Sequence, residues 1–289
     1  MTSLQPLATD SGHFTIAALD HRDALKAELP GADDAALRAF KRDMLDALSV
    51  MEETPSGVML EPEFSLPDLL DAVPEGAGVS CALEAQGYFS DPTAGNSLMP
   101  GWTPARVTEV GAHAAKLLVL YRHDQGSFTT AQERLVAEVV EGAAAANVPV
   151  MIEPVPVDVV DDVDRRTVIL AAAERLNHLG PMLLKMPYPG AGACGDLTER
   201  CGDRPWALLS WGVAYDIYAE QVAEACGNGC SGFTVGRALW REAVDPETRT
   251  EFNKTILPAR FAQLAELART GRPYTDTSSN TASNGGSDS

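Results

Sequence analysis

Basic residues are in short supply. Only 22 Lys and Arg stand against 41 Asp and Glu, a formal charge of −19 with a sequence pI near 4.5. Such a surface repels nucleic acid and anionic membranes, so neither is expected as a partner, although a local basic pocket could still hold an anionic metabolite. Long apolar runs are missing: nowhere do about 18 apolar residues follow one another, which argues against a membrane span. The opening MTSLQPLATDSGHF has no charged stretch leading into an apolar one, which argues against a secretory signal. Cysteine is sparse and irregular, at Cys81, Cys194, Cys201, Cys226 and Cys230, with no C-x-x-C pair; reduced thiols in a cytoplasmic protein are expected. The five histidines include no two at helical metal-ligand spacing, so a zinc site has little support. No G-x-G-x-x-G follows the first apolar run, which removes the main support for a dinucleotide-binding fold. Neither a metal nor a cofactor is therefore expected.

What the chain does have is alternation. Short β-rich apolar runs at 14–19, 57–60, 79–83, 115–121, 148–153, 182–185, 206–209 and 232–235 are separated by longer segments of helical period, such as 35–48, 129–146, 166–176 and 215–226. Thr129 and Thr130 with Glu133 read as a capping-box start to the second of these helices. Strands of four to seven residues alternating with helices indicate parallel βαβ units, and eight such units in roughly 250 residues match a closed (β/α)8 TIM barrel better than an open sheet. Residues 89–101 read as a long irregular loop, and a terminal helix is expected over 258–270. The expectation is one α/β barrel domain over 1–274, followed by a tail over 275–289 whose Ser, Thr, Asn and Gly cannot bury apolar area and is expected to be disordered.

In a barrel of this kind reactive side chains sit at the C-terminal ends of strands. Those ends carry Asp20, Glu61, Glu153 and Lys185, then Ser210 with Gly212, then Gly236 with Arg237, while Lys116 lies within the fourth strand. A lysine at a strand end is usually just solvated. A lysine in an otherwise apolar strand rarely lacks a partner or a job. An amine attacks a ketone only when neutral, and its ordinary pKa of about 10.4 leaves little of that form near pH 7. Apolar burial and a second cation both favour the neutral form, and Lys116 could be that cation for Lys185. Glu153 is either a structural ion-pair partner of Lys116 or Lys185, or the proton shuttle that carbinolamine formation and dehydration need. Asp20 is either a helix N-cap or the acceptor of a substrate hydroxyl proton. Arg22 could pair with Asp20, with an acidic helix face, or with substrate. Ser210, Gly212 and Gly236 offer a hydroxyl and approachable backbone N–H groups, and Arg237 a fixed charge, in the two loops that recurrently hold phosphate in barrels. Cys226 and Cys230, on one helix face, read as core, Trp102, Trp206 and Trp240 as packing, and His21 and His123 as polar surface.

The segments ALDHRDALK, SGVMLEPEF, MPGWTPARVTEVGAHAAKLLVLYR, MIEPV, LLKMP, LLSWGV and GFTVGRALW together resemble the class I tagatose 1,6-bisphosphate aldolase family, which includes sulfofructosephosphate aldolases. The resemblance spans 14–243 and implies a (β/α)8 barrel working without metal. It implies Lys185 as the Schiff-base lysine, Glu153 as proton shuttle, Lys116 as helper cation, Asp20 at the cleaved bond, and Ser210, Gly212, Gly236 and Arg237 on a substrate phosphate. This chain departs from the family at three places. Lys185 runs directly into Met186-Pro187, Trp211 stands where a small residue is usual, and Asp20-His21-Arg22 replaces Asp-Gln-Arg. The expected activity is reversible cleavage of a ketose 1,6-bisphosphate to dihydroxyacetone phosphate and glyceraldehyde 3-phosphate. Sulfofructose 1-phosphate or another ketose phosphate is the near alternative, and a non-catalytic sugar-phosphate-binding regulatory barrel the distant one. The partner expected is a small sugar phosphate, and self-association into a homo-oligomer is left open.

Overall fold

A computed structural model describes residues 2–276. Its eight strands are β1 (Phe14–Ala18), β2 (Gly57–Leu60), β3 (Gly78–Ala82), β4 (Ala114–Tyr121), β5 (Val150–Pro156), β6 (Leu183–Met186), β7 (Trp206–Leu209) and β8 (Gly232–Val235). Each pairs in parallel with the next and β1 closes on β8, giving the expected (β/α)8 barrel. The helices are α1 (Asp23–Glu28), α2 (Asp34–Ser49), α3 (Pro104–Glu109), α4 (Ser127–Ala146), α5 (Asp162–Asn177), α6 (Cys194–Cys201), α7 (Tyr215–Gly227), α8 (Arg237–Trp240) and α9 (Arg249–Glu251). A π turn at Phe252–Ile256 carries α9 into α10 (Leu257–Ala268). The expected strands fall within two or three residues of these bounds. Helices α1, α3, α6, α8 and α9 escape periodicity because one or two turns present too few repeats.

Every strand is buried along its whole length, as parallel strands covered on both faces must be. Which face a residue takes follows from the two-residue period of a strand. Phe14, Ile16 and Ala18 of β1, Met59 of β2, Ala114 of β4, Met151 of β5, Leu183 of β6 and Ala207 of β7 pack in one cluster inside the barrel, with Leu4 and Leu7 closing its floor. Residues of opposite parity, such as Ala17, Val58, Cys81, Leu117, Ile152, Leu184 and Phe233, pack outward against the helices. Counting up each strand by twos from the inner set leads to Asp20, Glu84, Lys116, Glu153 and Lys185. The same alternation that fills the floor therefore gathers five ionisable groups at the open end.

Several expectations are corrected. Helix α4 begins at Ser127 behind Gly126, with no side-chain cap; Thr129 Oγ1 donates to the Arg122 carbonyl, and Glu133 accepts from Tyr121 Oη at 2.7 Å and pairs with Arg175. The capping pattern is spent on tertiary contacts instead. Cys230 is not on a helix: α7 ends at Gly227, and Cys230 lies just before β8, although both it and Cys226 are core. The cysteines are all buried and free. Trp206 and Trp240 are core, as expected. Tyr274 returns to the barrel floor, where its backbone N–H donates to Gly12 and its ring packs on Phe14. The expected tail lies outside the described residues from 277 onward. No helix among the described residues is long and apolar enough to cross a membrane.

Candidate active site

A cavity of about 370 Å³ opens at the C-terminal ends of the strands. It is lined by Asp20, Arg22, Lys116, Glu153, Lys185, Ser210, Gly212, Gly236 and Arg237 among others, but not by Glu61. The structure thus brings all nine together.

Lys185 points into the barrel and is only 4% exposed. Its Nζ lies 3.0 Å from Glu153 Oε2 and 3.5 Å from Met59 Sδ. The same Glu153 oxygen lies 2.8 Å from Lys116 Nζ, so one carboxylate oxygen serves both amines. Lys116 also donates to Asp20 Oδ2 at 2.9 Å and to Glu84 Oε1 at 2.8 Å. Three buried carboxylates around one ammonium, against the burial that would lower it, hold Lys116 well above the ordinary lysine range. Lys116 is therefore not the bare cation the sequence reading set beside Lys185; its charge is matched several times over. Burial on its own would raise the Asp20 carboxyl, but Lys116 and then Lys185 hold it well below the usual carboxylate range. Glu153 is lowered against burial by the same two lysines, with Asp20 opposing.

Asp20 caps no helix. Helix α1 has Arg22 at its N-cap position without a side-chain cap, and Asp20 faces Lys116 instead. Arg22 pairs neither with Asp20 nor with an acidic helix face. It is buried, donating to the Glu84 carbonyl at 2.9 Å and to Glu84 Oε1 at 3.4 Å, with its Nε left without a partner. Glu61 serves structure: it accepts from buried Lys41 and from the Glu63 and Phe64 N–H groups, fixing the turn after β2. His21 is only partly exposed, at 22%, and lines the cavity. It packs edge-on against Trp240 at 5.3 Å, lies 3.9 Å from Asp20, and burial lowers it to about 3, so its imidazole is neutral.

The second centre is built from the loops after β7 and β8. The Gly236 N–H donates to Ser210 Oγ at 3.3 Å. Trp211 and Gly212 are both left-handed, with φ of 50° and 70°, so the backbone turns sharply beside Arg237 of α8 and Arg241 just after it. A methyl at Gly212 would fall 3.0 Å from Arg237 Cζ and 3.0 Å from Arg241 Nη2, and one at Gly236 would fall 2.5 Å from His21 Cε1. A side chain at either position would push these neighbours aside, and at Gly212 it would also have to adopt a left-handed φ. Burial, and then Arg241, lower the Arg237 guanidinium, and its Nε has no hydrogen-bond partner.

Sequence reasoning missed Glu84, Tyr88 and Arg241. Glu84 could have been found by continuing one residue past the apolar run at 79–83, with the parity that locates Glu153. Tyr88 lines the cavity from the loop after β3, where burial raises its phenol beyond the ordinary range. Arg241, one helical turn after Arg237, carries i,i+4 spacing as its signal.

Fold and site together define a class: a parallel barrel with a buried amine beside a carboxylate at the end of β6, and glycine backbone beside an arginine in the loops after β7 and β8. No family model matches the chain. Among curated proteins it is similar to the tagatose 1,6-diphosphate aldolase of Lactococcus lactis subsp. lactis, at 26% identity over 95% of this chain and 97% of that protein. It is also similar to tagatose 1,6-diphosphate aldolase 2 of Enterococcus faecalis, at 25% identity over 84% of each. The resemblance read from the motifs is thus shared with curated relatives along most of the chain. Among solved structures, an archaeal fructose 1,6-bisphosphate aldolase superposes with a TM-score of 0.67 at 17% identity, covering 92% of this chain and 97% of that one. A Schiff-base-forming fructose-1,6-bisphosphate aldolase superposes with a TM-score of 0.65 at 18% identity, covering 91% and 96%.

Proposed function

We propose that this chain is a cytoplasmic class I aldolase, cleaving a ketose 1,6-bisphosphate of the tagatose type to dihydroxyacetone phosphate and glyceraldehyde 3-phosphate through a Schiff base on Lys185. The observation that carries the reading is the placement of Lys185 Nζ: inside the barrel, facing the cavity, 3.0 Å from a carboxylate oxygen that a second lysine also holds. The curated relatives named as tagatose 1,6-diphosphate aldolases support the choice of substrate.

In this reading the Lys185 ammonium first gives up a proton, the neutral amine attacks the C2 ketone, and the nitrogen loses a second proton after attack; Glu153 relays both to the ketone oxygen, which leaves as water. Asp20, Glu84 and Glu153 face Lys116, Lys185 and Arg22, so the cluster is balanced while Lys185 is cationic. A neutral amine leaves one negative charge in excess, and the iminium restores the balance. The buried carboxylates thereby favour the intermediate electrostatically. The iminium then accepts the electron pair of the C3–C4 bond as the C4 hydroxyl proton passes to Asp20. The aldehyde departs, leaving an enamine that is protonated at C3 and hydrolysed from the lysine. Lys116, held in its charged form, keeps Asp20 and Glu153 anionic and in place. Ser210, Gly212, Gly236 and Arg237 hold the C1 phosphate, and Arg22 the Glu84 side of the cavity.

Borohydride reduction in the presence of dihydroxyacetone phosphate tests this directly. The expected result is a stable mass increase mapped to Lys185, absent in Lys185→Ala, together with loss of cleavage in that variant. An unmodified Lys185 in protein that still cleaves the substrate would overturn the mechanism.

A further inference from the structure

The anion cradle contains more charge than Arg237 alone. Arg237 and Arg241 converge on the bare Cα of Gly212, since a single point beside it lies 3.0 Å from Arg237 Cζ and 3.0 Å from Arg241 Nη2. Two guanidinium groups this close repel, and Arg241 is among the causes that lower Arg237. Among the described residues one carboxylate lies within ion-pair distance of either: Glu28, at the end of α1, 2.9 Å from Arg241 Nε and 4.0 Å from Arg237 Nη1. Two positive charges therefore meet one negative charge, and Arg237 Nε stays buried without an acceptor. Ser210, Gly212, Gly236 and Arg237 line the cavity, the Gly236 N–H donates to Ser210 Oγ, and Arg241 reaches the cavity wall beside Gly212.

We propose that Arg241 is a second anion-binding arginine of this cradle, held over Gly212 by Glu28, and that the pair selects a dianionic phosphoryl group over a singly charged sulfonate. The inference rests on the reading of the cradle as the substrate phosphate site. Its physical basis is charge matching. One arginine and neutral donors suffice for a monoanion, whereas a second guanidinium beside the first is stabilised only when the group between them carries two charges. A phosphate monoester, with its second pKa near 6, is mostly dianionic at pH 7.5. An alkyl sulfonate stays singly charged. Glu28 acts as a positioning residue: it anchors Arg241 through Nε and leaves the Nη face toward Gly212 for the ligand.

The test is calorimetric binding of methyl phosphate and methanesulfonate to the full chain at pH 7.5 and low salt, for wild type, Arg241→Gln and Arg241→Lys. Wild type is expected to bind methyl phosphate at least tenfold more tightly than methanesulfonate. Arg241→Gln is expected to weaken methyl phosphate about tenfold or more, the loss of one charge-assisted contact, while leaving methanesulfonate within threefold; Arg241→Lys should recover part of the loss. Steady-state cleavage of tagatose 1,6-bisphosphate should show the change in KM, with kcat within threefold. Arg241→Gln that binds methyl phosphate as wild type does, or loses both anions equally, overturns the proposal. Circular dichroism and borohydride labelling at saturating dihydroxyacetone phosphate check that the variant is folded with Lys185 intact. Should wild type form no adduct and cleave nothing, the aldolase reading fails, yet the two binding curves still decide the role of Arg241.

Discussion

Replacing Lys116 with Met removes one ammonium that three buried carboxylates share, at 2.9 Å from Asp20, 2.8 Å from Glu84 and 2.8 Å from Glu153. Met nearly fills the volume, so the perturbation is mainly one of charge. Arg22 and Lys185 would then face three carboxylates, and breaking a buried pair by deleting one partner costs about 3–5 kcal/mol. In a chain of this size that is roughly 10 °C in Tm. The pH dependence carries the sharper check. In the wild type Asp20 and Glu153 are lowered in the folded state, chiefly by Lys116 against burial, so their stabilisation is present above about pH 4 and lost as pH falls through the folded values. Lys116 itself, raised in the folded state, stays charged throughout that window and would lose its contribution only at alkaline pH. Without Lys116 the desolvation that already opposes ionisation wins, the carboxyls rise above their unfolded values, and they become destabilising as pH climbs past about 4. Urea unfolding at pH 7 and pH 4.5 should therefore give a large wild-type-to-variant difference at neutral pH that shrinks in acid as the variant's carboxyls take up protons, while the wild-type contribution is still in place at pH 4.5. A difference that is the same at both pH values would mean that lost packing, not charge, explains the effect, and the account of the cluster would be wrong.

Two other outcomes follow from the cradle and its neighbour. Gly212→Ala places a β-carbon on a residue with φ of 70° and 3.0 Å from both arginines; about 1 kcal/mol of stability should be lost, and KM for the ketose phosphate should rise about tenfold with kcat little changed. An unchanged KM in steady-state kinetics would remove Gly212 from the cradle. His21 is lowered from its ordinary range to about 3, mainly by burial, so the wild type loses stability as pH falls from 6.5 and the unfolded chain takes up the proton first. His21→Gln should flatten that decline, by roughly 2 kcal/mol at pH 5, in urea titrations across pH 4.5–7.5; parallel curves would show that His21 is not the titrating group.

Much of the architecture was legible because parallel strands are buried on both faces and stand out as uninterrupted apolar runs. Trp206–Leu209 and Gly232–Val235 match their expected bounds completely. The inner positions were legible too, since Lys116 and Glu153 each interrupt such a run. What sequence could not supply was pairing. Nothing local says that Glu153 divides one oxygen between two lysines, or that Arg22 turns to Glu84 rather than to Asp20, because those choices depend on which strand ends become neighbours once the barrel closes. The capping motif at Thr129 and Glu133 failed for a related reason. Local propensity offered one use for these side chains, and long-range partners claimed them for another. His21 was misread because an imidazole two residues from a charged helix start looks solvated until Trp240, more than two hundred positions away, folds over it.

The floor of the barrel carries a consequence for how the molecule can be attached to anything else. Leu4 and Leu7 plug it, Ser3 bonds to Asp276, and the Leu4 N–H donates to Tyr274 Oη. Positions 3 and 276 thus emerge side by side on the face opposite the amines. A tether to a surface or a neighbouring domain at either position would approach from beneath, leaving the entrance above pointed outward and clear for traffic of small molecules.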